Sequence, residues 1–461
     1  VRITNKSISN NFLVDMQRNL QNLSKVQQQV SSMKNFSKPS DDPLNVERSM
    51  QMQTSLNATD QYYSNITSAL SSMQTTDTTM GQLGTVLTNV RSDLVKAGAP
   101  GYTQDERDKI NDEVRQYVSQ FAQILNTNLG GEYIFGGTQG LSKPVTTVTD
   151  TDGNVSIEYA DAKGNVVNSI PEVVSSGFSA GNWQGKSITF NLNGTDETAI
   201  TLESSDNNID DVIKDLNNKI QADADLRDQV SVVKTSDGNI KFLAVNSNDD
   251  IKISSTTIEN NLSDATGKQL SNVDMANIGA DKTIEVSQGV VLDYNATASS
   301  VMQYGENNNN AINDDNVKAL MNRIQHHLAG QVLDTTTEVA EGTTGAEKVV
   351  NSDGTVHYYA WKTDEDAAKN ELTNQDLTDI DAASKGLLKV RSQIGAKEKR
   401  MEALQDQNKS SKLDIQETLS ETEDIDLTQK TIEYSTMITV YQACLQTAAK
   451  VMQPTLMNYL S

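Results

Sequence analysis

The sequence predicts an α+β multidomain chain: an elongated bundle of long amino- and carboxyl-terminal helices with a β-rich outer domain inserted between them. Three observations carry this. Apolar residues recur at three- and four-residue intervals over both ends. From about Leu141 the period changes to two, and Asp-Gly and Asn-Gly pairs punctuate it. The apolar supply is thin, with hydrophobic residues 36% and aromatics 5% of 461 and a mean hydropathy of -0.52, which suits narrow helical stripes better than one large core.

The first stripe is Leu13, Met16, Leu20, Leu23 and Val30, an amphipathic helix with a narrow seam. It stops at Lys38-Pro39-Ser40-Asp41-Asp42-Pro43, where hydroxyl and carboxylate side chains can accept bonds from free helix amides. Pro43 then suits the first turn of a second helix. That helix uses Leu56, Tyr63, Ile66, Leu70, Met73, Met80 and Leu87 and fades at Ala97-Gly98-Ala99-Pro100-Gly101. Thr103 with Glu106 three residues on reads as a cap for a third helix along Ile110, Val114, Tyr117, Phe121 and Ile124, closed by Gly130-Gly131.

In the middle, turn pairs at Asp152-Gly153, Asn193-Gly194 and Asp237-Gly238 predict hairpins. A helix over Ile209 to Ile220 between two of them gives a local β-β-α-β-β order. Helical periodicity resumes near Asn316, is interrupted by the hairpin-like Asn351 to Trp361, and returns at Ile380, Leu387, Val390, Ile394, Met401 and Leu404. The last stripe is Tyr434, Ile438, Tyr441, Leu445, Ala448 and Met452, with Leu456 and Leu460 continuing it. The expected division is therefore 1–40 and 435–461 as terminal helices, to which the family resemblance given below assigns polymerisation, 41–140 and 310–434 as a helical-bundle core with an insertion at about 335–369, and 141–309 as the outer domain.

The formal net charge of -24 would be repelled by phosphate backbones and anionic lipid, so neither nucleic acid nor a membrane is an expected partner. Residues 1–40 are nevertheless basic, with Arg2, Lys6, Arg18, Lys25, Lys34 and Lys38 against Asp15. Their sign complements the acidic run Asp414, Glu417, Glu421, Glu423, Asp424 and Asp426, and the two are expected to face each other. Cys444 is the lone cysteine, so no intrachain disulfide is possible. The polar start, Val1 to Asn10, speaks against a Sec-type leader or a membrane anchor.

Arg2-Ile3-Thr4-Asn5, Asn11-Phe12-Leu13 and above all Lys38-Pro39-Ser40-Asp41-Asp42-Pro43 resemble the amino-terminal signature of flagellar hook-associated proteins of the FlgL type, in the flagellin superfamily. Gly131-Glu132-Tyr133-Ile134-Phe135-Gly136-Gly137-Thr138 is similar to that family's close of the third helix. Glu421-Thr422-Glu423-Asp424-Ile425-Asp426, Tyr441-Gln442-Ala443 and Pro454-Thr455-Leu456-Met457-Asn458-Tyr459-Leu460 resemble its carboxyl-terminal helix. Filament flagellins carry an Asp-Asp-Ala-Ala-Gly pattern where this chain has Asp41-Asp42-Pro43-Leu44-Asn45, a departure that favours a junction protein. The resemblance implies a flagellin-like bundle and a secreted, extracellular place at the hook–filament junction. The implied partners are a ring of identical subunits, a hook-side hook-associated protein, flagellin, and a flagellar export chaperone and export apparatus. It also implies assembly seams at Leu13, Met16, Leu20, Leu23 and Val30 and at Tyr434, Ile438, Tyr441, Leu445, Met452, Leu456 and Leu460.

No enzyme, metal or cofactor is expected. His326, His327 and His357 belong to no His-Glu-x-x-His site and read as packing or surface residues. Thr149 to Asn154 lacks the glycine and glutamate of an EF-hand, having Val155 and Asp161 in their places. Two other readings stay open: a flagellin that forms the filament itself, and a secreted surface-binding protein whose helices are a stalk.

Overall fold

The computed structural model describes residues 5–451 apart from 168–172, 193–195, 204–207, 236–237, 246–250, 259–260, 263–264, 266–267, 305–315, 341–342, 344–345 and 351–355. The Arg2-Ile3-Thr4 stretch, the Asn193-Gly194 turn and Met452, Leu456 and Leu460 lie outside the described residues. Long helices occupy both ends and a β-rich region lies between them in the chain, a flagellin-like fold. The long helices are α1 (Asn5–Ser32), α2 (Pro43–Ala97), α3 (Gln104–Leu125), α4 (Ile209–Ala222), α5 (Val317–Leu328), α6 (Leu377–Glu423) and α7 (Leu427–Val451).

The chain forms two compact units, one of Val1–Thr67, Glu285–Val290 and Glu402–Ser461, the other of Ser68–Ile284 and Val291–Met401. In the first, α1 runs antiparallel to α7, with Asn19 beside Cys444 and Lys34 bridged to Asp424. The early part of α2 meets the late part of α6 through Lys412 and Asp60, 2.6 Å apart. The tip of the hairpin formed by Thr283–Ser287 and Val290–Asp293 reaches both: Asn65 donates to the Glu285 carbonyl at 3.0 Å and Asn408 to that of Val286 at 3.1 Å.

In the second unit the stripe of α2 has Leu70, Met73, Met80, Leu83, Leu87, Val90 and Leu94 buried. It faces Ile380, Leu387, Ile394 and Met401 of α6, seven residues apart and all buried, the seam of a coiled-coil-like pair. Arg91–Asp381 at 2.7 Å and Arg391–Asp77 at 2.8 Å flank the seam. Tyr63 is exposed rather than part of this stripe, because Ile66 and Ala69 take the inward positions. On α3 the inward line is Ile110, Val114, Val118, Phe121 and Leu125, and Tyr117 is half-buried beside it. The Glu106 carboxylate accepts from the Thr103 amide at 2.8 Å, closing the predicted amino-terminal cap.

Gly137 sits at φ +54, and a Cβ there would meet the Asn277 carbonyl oxygen at 2.2 Å. Only glycine allows both that backbone conformation and that approach. Past it, Val145–Thr149, Val155–Ala160 and Val166–Val167 form an antiparallel meander against α3 and α5. The predicted β-β-α-β-β order is present as Ser187–Leu192, Asp196–Thr201, α4, Val230–Lys234 and Ile240–Ala244. Its two strand pairs join different sheets: Ser187–Leu192 also pairs with Ile251–Thr256, and Ile240–Ala244 also pairs with Val173–Val174 and Ser271–Asn272. Both enclose one core around Trp183, Phe190, Phe242 and Leu216.

The strands Gln331–Glu338, Ala346–Val350 and Val356–Thr363 form a three-stranded sheet, ordered with the last in the middle. His326 of α5 stacks on Trp361 of that sheet at 4.0 Å between ring centres. A π-helical turn, Leu372–Asp376, precedes α6 and buries Asp376, which meets His327 Nδ1 at 2.6 Å and Arg323 Nε at 3.1 Å. These histidines join α5 to neighbouring elements. Among the described residues no cluster of His, Cys, Asp and Glu could hold a metal ion, and no helix is long and apolar enough to cross a membrane.

Candidate assembly surface

A continuous line of side chains on α1 faces α7. Phe12, Met16, Asn19, Leu23 and Val30 are half-buried and Val26 is buried at 4% exposure, in alternating steps of four and three. The matching line on α7 is Lys430, Tyr434, Met437, Tyr441, Cys444 and Ala448. Where the lines meet, Asn19 Nδ2 lies 3.8 Å from Cys444 Sγ.

Of the residues singled out by sequence, Met16, Leu23, Val30, Tyr434 and Tyr441 lie on these lines, and Leu13 and Ile438 are half-buried beside them. Leu20 and Leu445 are exposed. Val26, Asn19 and Cys444 carry the inward positions that hydrophobicity alone did not mark. An alternating three-four count from Met16, through Asn19 and Leu23, would have found Val26.

The break between α1 and α2 is built from the motif read in the sequence. Asp41 accepts from the amides of Ser37 at 3.2 Å and Lys38 at 3.1 Å, and these bonds hold its carboxyl below the usual range. Asp42 accepts from the Asn45 amide at 3.2 Å and so caps α2, whose first residue is Pro43. Pro39 and Ser40 occupy the turn before it, and Ser40 is exposed.

This break lies beside the one between α6 and α7. Asn35 N donates to the Glu423 carbonyl at 2.6 Å and Ile425 N to that of Met33 at 3.3 Å, a short antiparallel bridge between segments remote in sequence. Met33 takes a left-handed backbone, φ 56, to enter it. Lys34 Nζ then reaches Glu423 and Asp424, each at 2.8 Å. Buried Ser49 of α2 also hydrogen-bonds Glu423, and Asp426 caps α7 through the amides of Thr428 and Gln429. The expected meeting of basic and acidic runs thus occurs at Lys34 within the chain, whereas Lys25 has no ion-pair partner among the described residues.

Much apolar surface on this unit has no cover. Leu44 is 76%, Met50 65% and Ile432 62% exposed, and Val14, Leu20, Leu413, Leu427, Val440 and Leu445 are exposed with them. At the start of α2 an open groove of about 350 Å³ is lined by Pro39, Pro43, Val46, Met50, Glu47 and Gln51 among others. Apolar surface gathered on one part of a protein marks an interaction site more often than a solvated face.

The terminal helices are thus paired along one seam and carry uncovered apolar flanks, and comparison with known families shows what they are similar to. Residues 3–140 match the bacterial flagellin N-terminal helical region and residues 377–460 the bacterial flagellin C-terminal helical region. Both matches fall on the helical ends of the chain, which are similar to the terminal regions of flagellins. A flagellin from Clostridium tyrobutyricum is 28% identical over 125 residues, 27% of this chain and 33% of that protein; the chain spans about a third of that relative's length. Among solved structures, flagellar hook-associated protein 3 of Legionella pneumophila is 14% identical with a TM-score of 0.36, covering 81% of this chain and 98% of that one. FlgL of Xanthomonas campestris is 13% identical with a TM-score of 0.33, covering 80% and 99%.

Proposed function

We propose that this chain is a structural subunit of the bacterial flagellum, acting as a hook-associated adaptor that joins hook to filament, and that it catalyses no reaction. The observation that carries the reading is the state of the terminal pair. α1 and α7 hold each other along one seam while large apolar side chains on the same unit face solvent. Neighbouring subunits would cover them, each burial contributing about 1.5–3 kcal/mol. The flagellin terminal regions at both ends support a flagellar role. The Pro43-Leu44-Asn45 departure at the helix break supports adaptor over filament subunit. The proposed partners are copies of itself in a ring, a hook-side hook-associated protein, flagellin, and an export chaperone and export apparatus. The proposed location is the extracellular hook–filament junction.

Antibody labelling of isolated flagella tests this: the label should fall on one short zone between hook and filament, and labelling along the whole filament would overturn it. A second reading, that the chain builds the filament itself, is favoured by the flagellin relative. It requires the purified protein to elongate into long filaments, whereas the adaptor reading requires that it does not.

A further inference from the structure

We propose that the outward face of α1 in one copy docks into the Pro39–Thr54 groove of a second copy, a contact that rests on the reading of the chain as an assembling subunit. At 100° per residue, Val14, Arg18, Gln21 and Lys25 form one stripe on the side of α1 opposite Met16, Leu23 and Val26, which face α7. All four are exposed. Arg18 reaches only Asp15, at 3.8 Å and on its own helix. Lys25 adds to the field that lowers Asp41 but forms no ion pair among the described residues. The stripe is thus an apolar side chain followed by two cations without a strong partner.

The groove has the complementary character. Pro39, Pro43, Val46 and Met50 give it an apolar floor, and Glu47 stands on its wall with Gln51 as its neighbour at 3.5 Å and no cation within ion-pair distance among the described residues. Lengths agree as well: Val14 to Lys25 and Pro43 to Thr54 each span eleven helical steps, about 16 Å. The outward residues of α7, Ile432, Thr436, Thr439 and Val440, are exposed but uncharged, so that face lacks the sign to seek Glu47. Because stripe and groove are different surfaces of the same chain, the contact is heterologous. Repetition therefore closes a ring or extends a helix, and does not stop at a dimer.

The test uses the full chain in a Cys444→Ser background, with Val14→Cys on one tagged preparation and Met50→Cys on another, mixed and oxidised at rising concentration. A disulfide between tags joins two copies. The Val14–Met50 pair should exceed a control pair of Ile432→Cys with Met50→Cys, and Glu47→Lys should lower its yield about fivefold. Arg18→Glu on the other chain should restore it. A yield no greater than the control at every concentration, indifference to Glu47→Lys, or failure of the reversed pair to restore would each overturn the proposal. If circular dichroism shows Glu47→Lys misfolded, Glu47→Gln takes its place with a smaller expected loss. The antibody experiment judges the adaptor reading separately: junction labelling with no specific disulfide leaves that reading intact and removes this contact.

Discussion

Lys34 holds the most closely knit polar cluster of the terminal unit. Hydrogen bonds to Asp424 and then Glu423 raise its pKa above the usual lysine value of 10.5. The Asp424 carboxyl is lowered, chiefly by Lys34. Burial pushes Glu423 up, but the Lys34 and Ser49 bonds outweigh it and leave it below its usual 4.5. Depressed carboxyls stabilise fully above their unfolded values and lose that contribution as pH falls through the folded ones; a raised ammonium stabilises below 10.5 and loses it as pH rises through its folded value. The clasp between the two helix breaks should therefore hold from about pH 4.5 to 10.5 and weaken on either side. A dye pair on α1 and α6 read against pH should show that plateau, and Lys34→Met should flatten it. In the second unit, burial lowers the pKa of His326, opposed by Gln331 and by the carboxylates of Asp150 and Asp152. Its ring, stacked on Trp361, therefore stays neutral to a lower pH than a free imidazole, and its contribution to stability should decline as pH falls from about 6.5 through that lowered value. His326→Gln should remove that part of the acid destabilisation in melting curves.

At the scale of elements, the helices were legible because their stripes repeat. The stripes of α2 and α6 and the bounds of α4 emerge close to their sequence reading, as does the capping of α2 by Asp42 and of α3 by Glu106. The seam of α1 was legible only in part, since Leu20 and Asn19 compete for it and the structure turns Asn19 inward. A half-buried amide in such a seam fixes register at a cost in stability. Asn19→Leu should accordingly slow hydrogen exchange in α1 while admitting more than one alignment with α7, visible as extra cross-link positions. The bridge at Met33 was not legible, because a left-handed methionine leaves no mark in a sequence. The sharing of one core by two sheets was equally hidden, since strand alternation shows which face is buried and not which strand is the neighbour. Gly137 did stand in a readable motif, and its reason is now geometric. Gly137→Ala should cost about 2 kcal/mol or more, measurable as a lowered urea midpoint.

For the whole molecule, the sequence order of helix, β-rich middle and helix places the flagellin regions at the ends and leaves residues 141–309 outside them. Deleting 141–309 should leave attachment to flagella intact. Retained attachment with lost adhesion to a surface would instead favour the surface-binding reading, and loss of attachment would assign the middle a part in assembly. The acidic balance of the chain, -24 overall, sits mostly away from α1, and that contrast of sign is what the proposed contact between copies draws upon.

The neighbouring breaks after Ser32 and Glu423 have a mechanical consequence. A helix pair hung from one covalent strand can swivel freely, but one hung from two strands stitched together by backbone bonds and a lysine clasp is free to bend and resists spinning. Torque applied to the α1–α7 pair would travel through it as through a strap held by both edges.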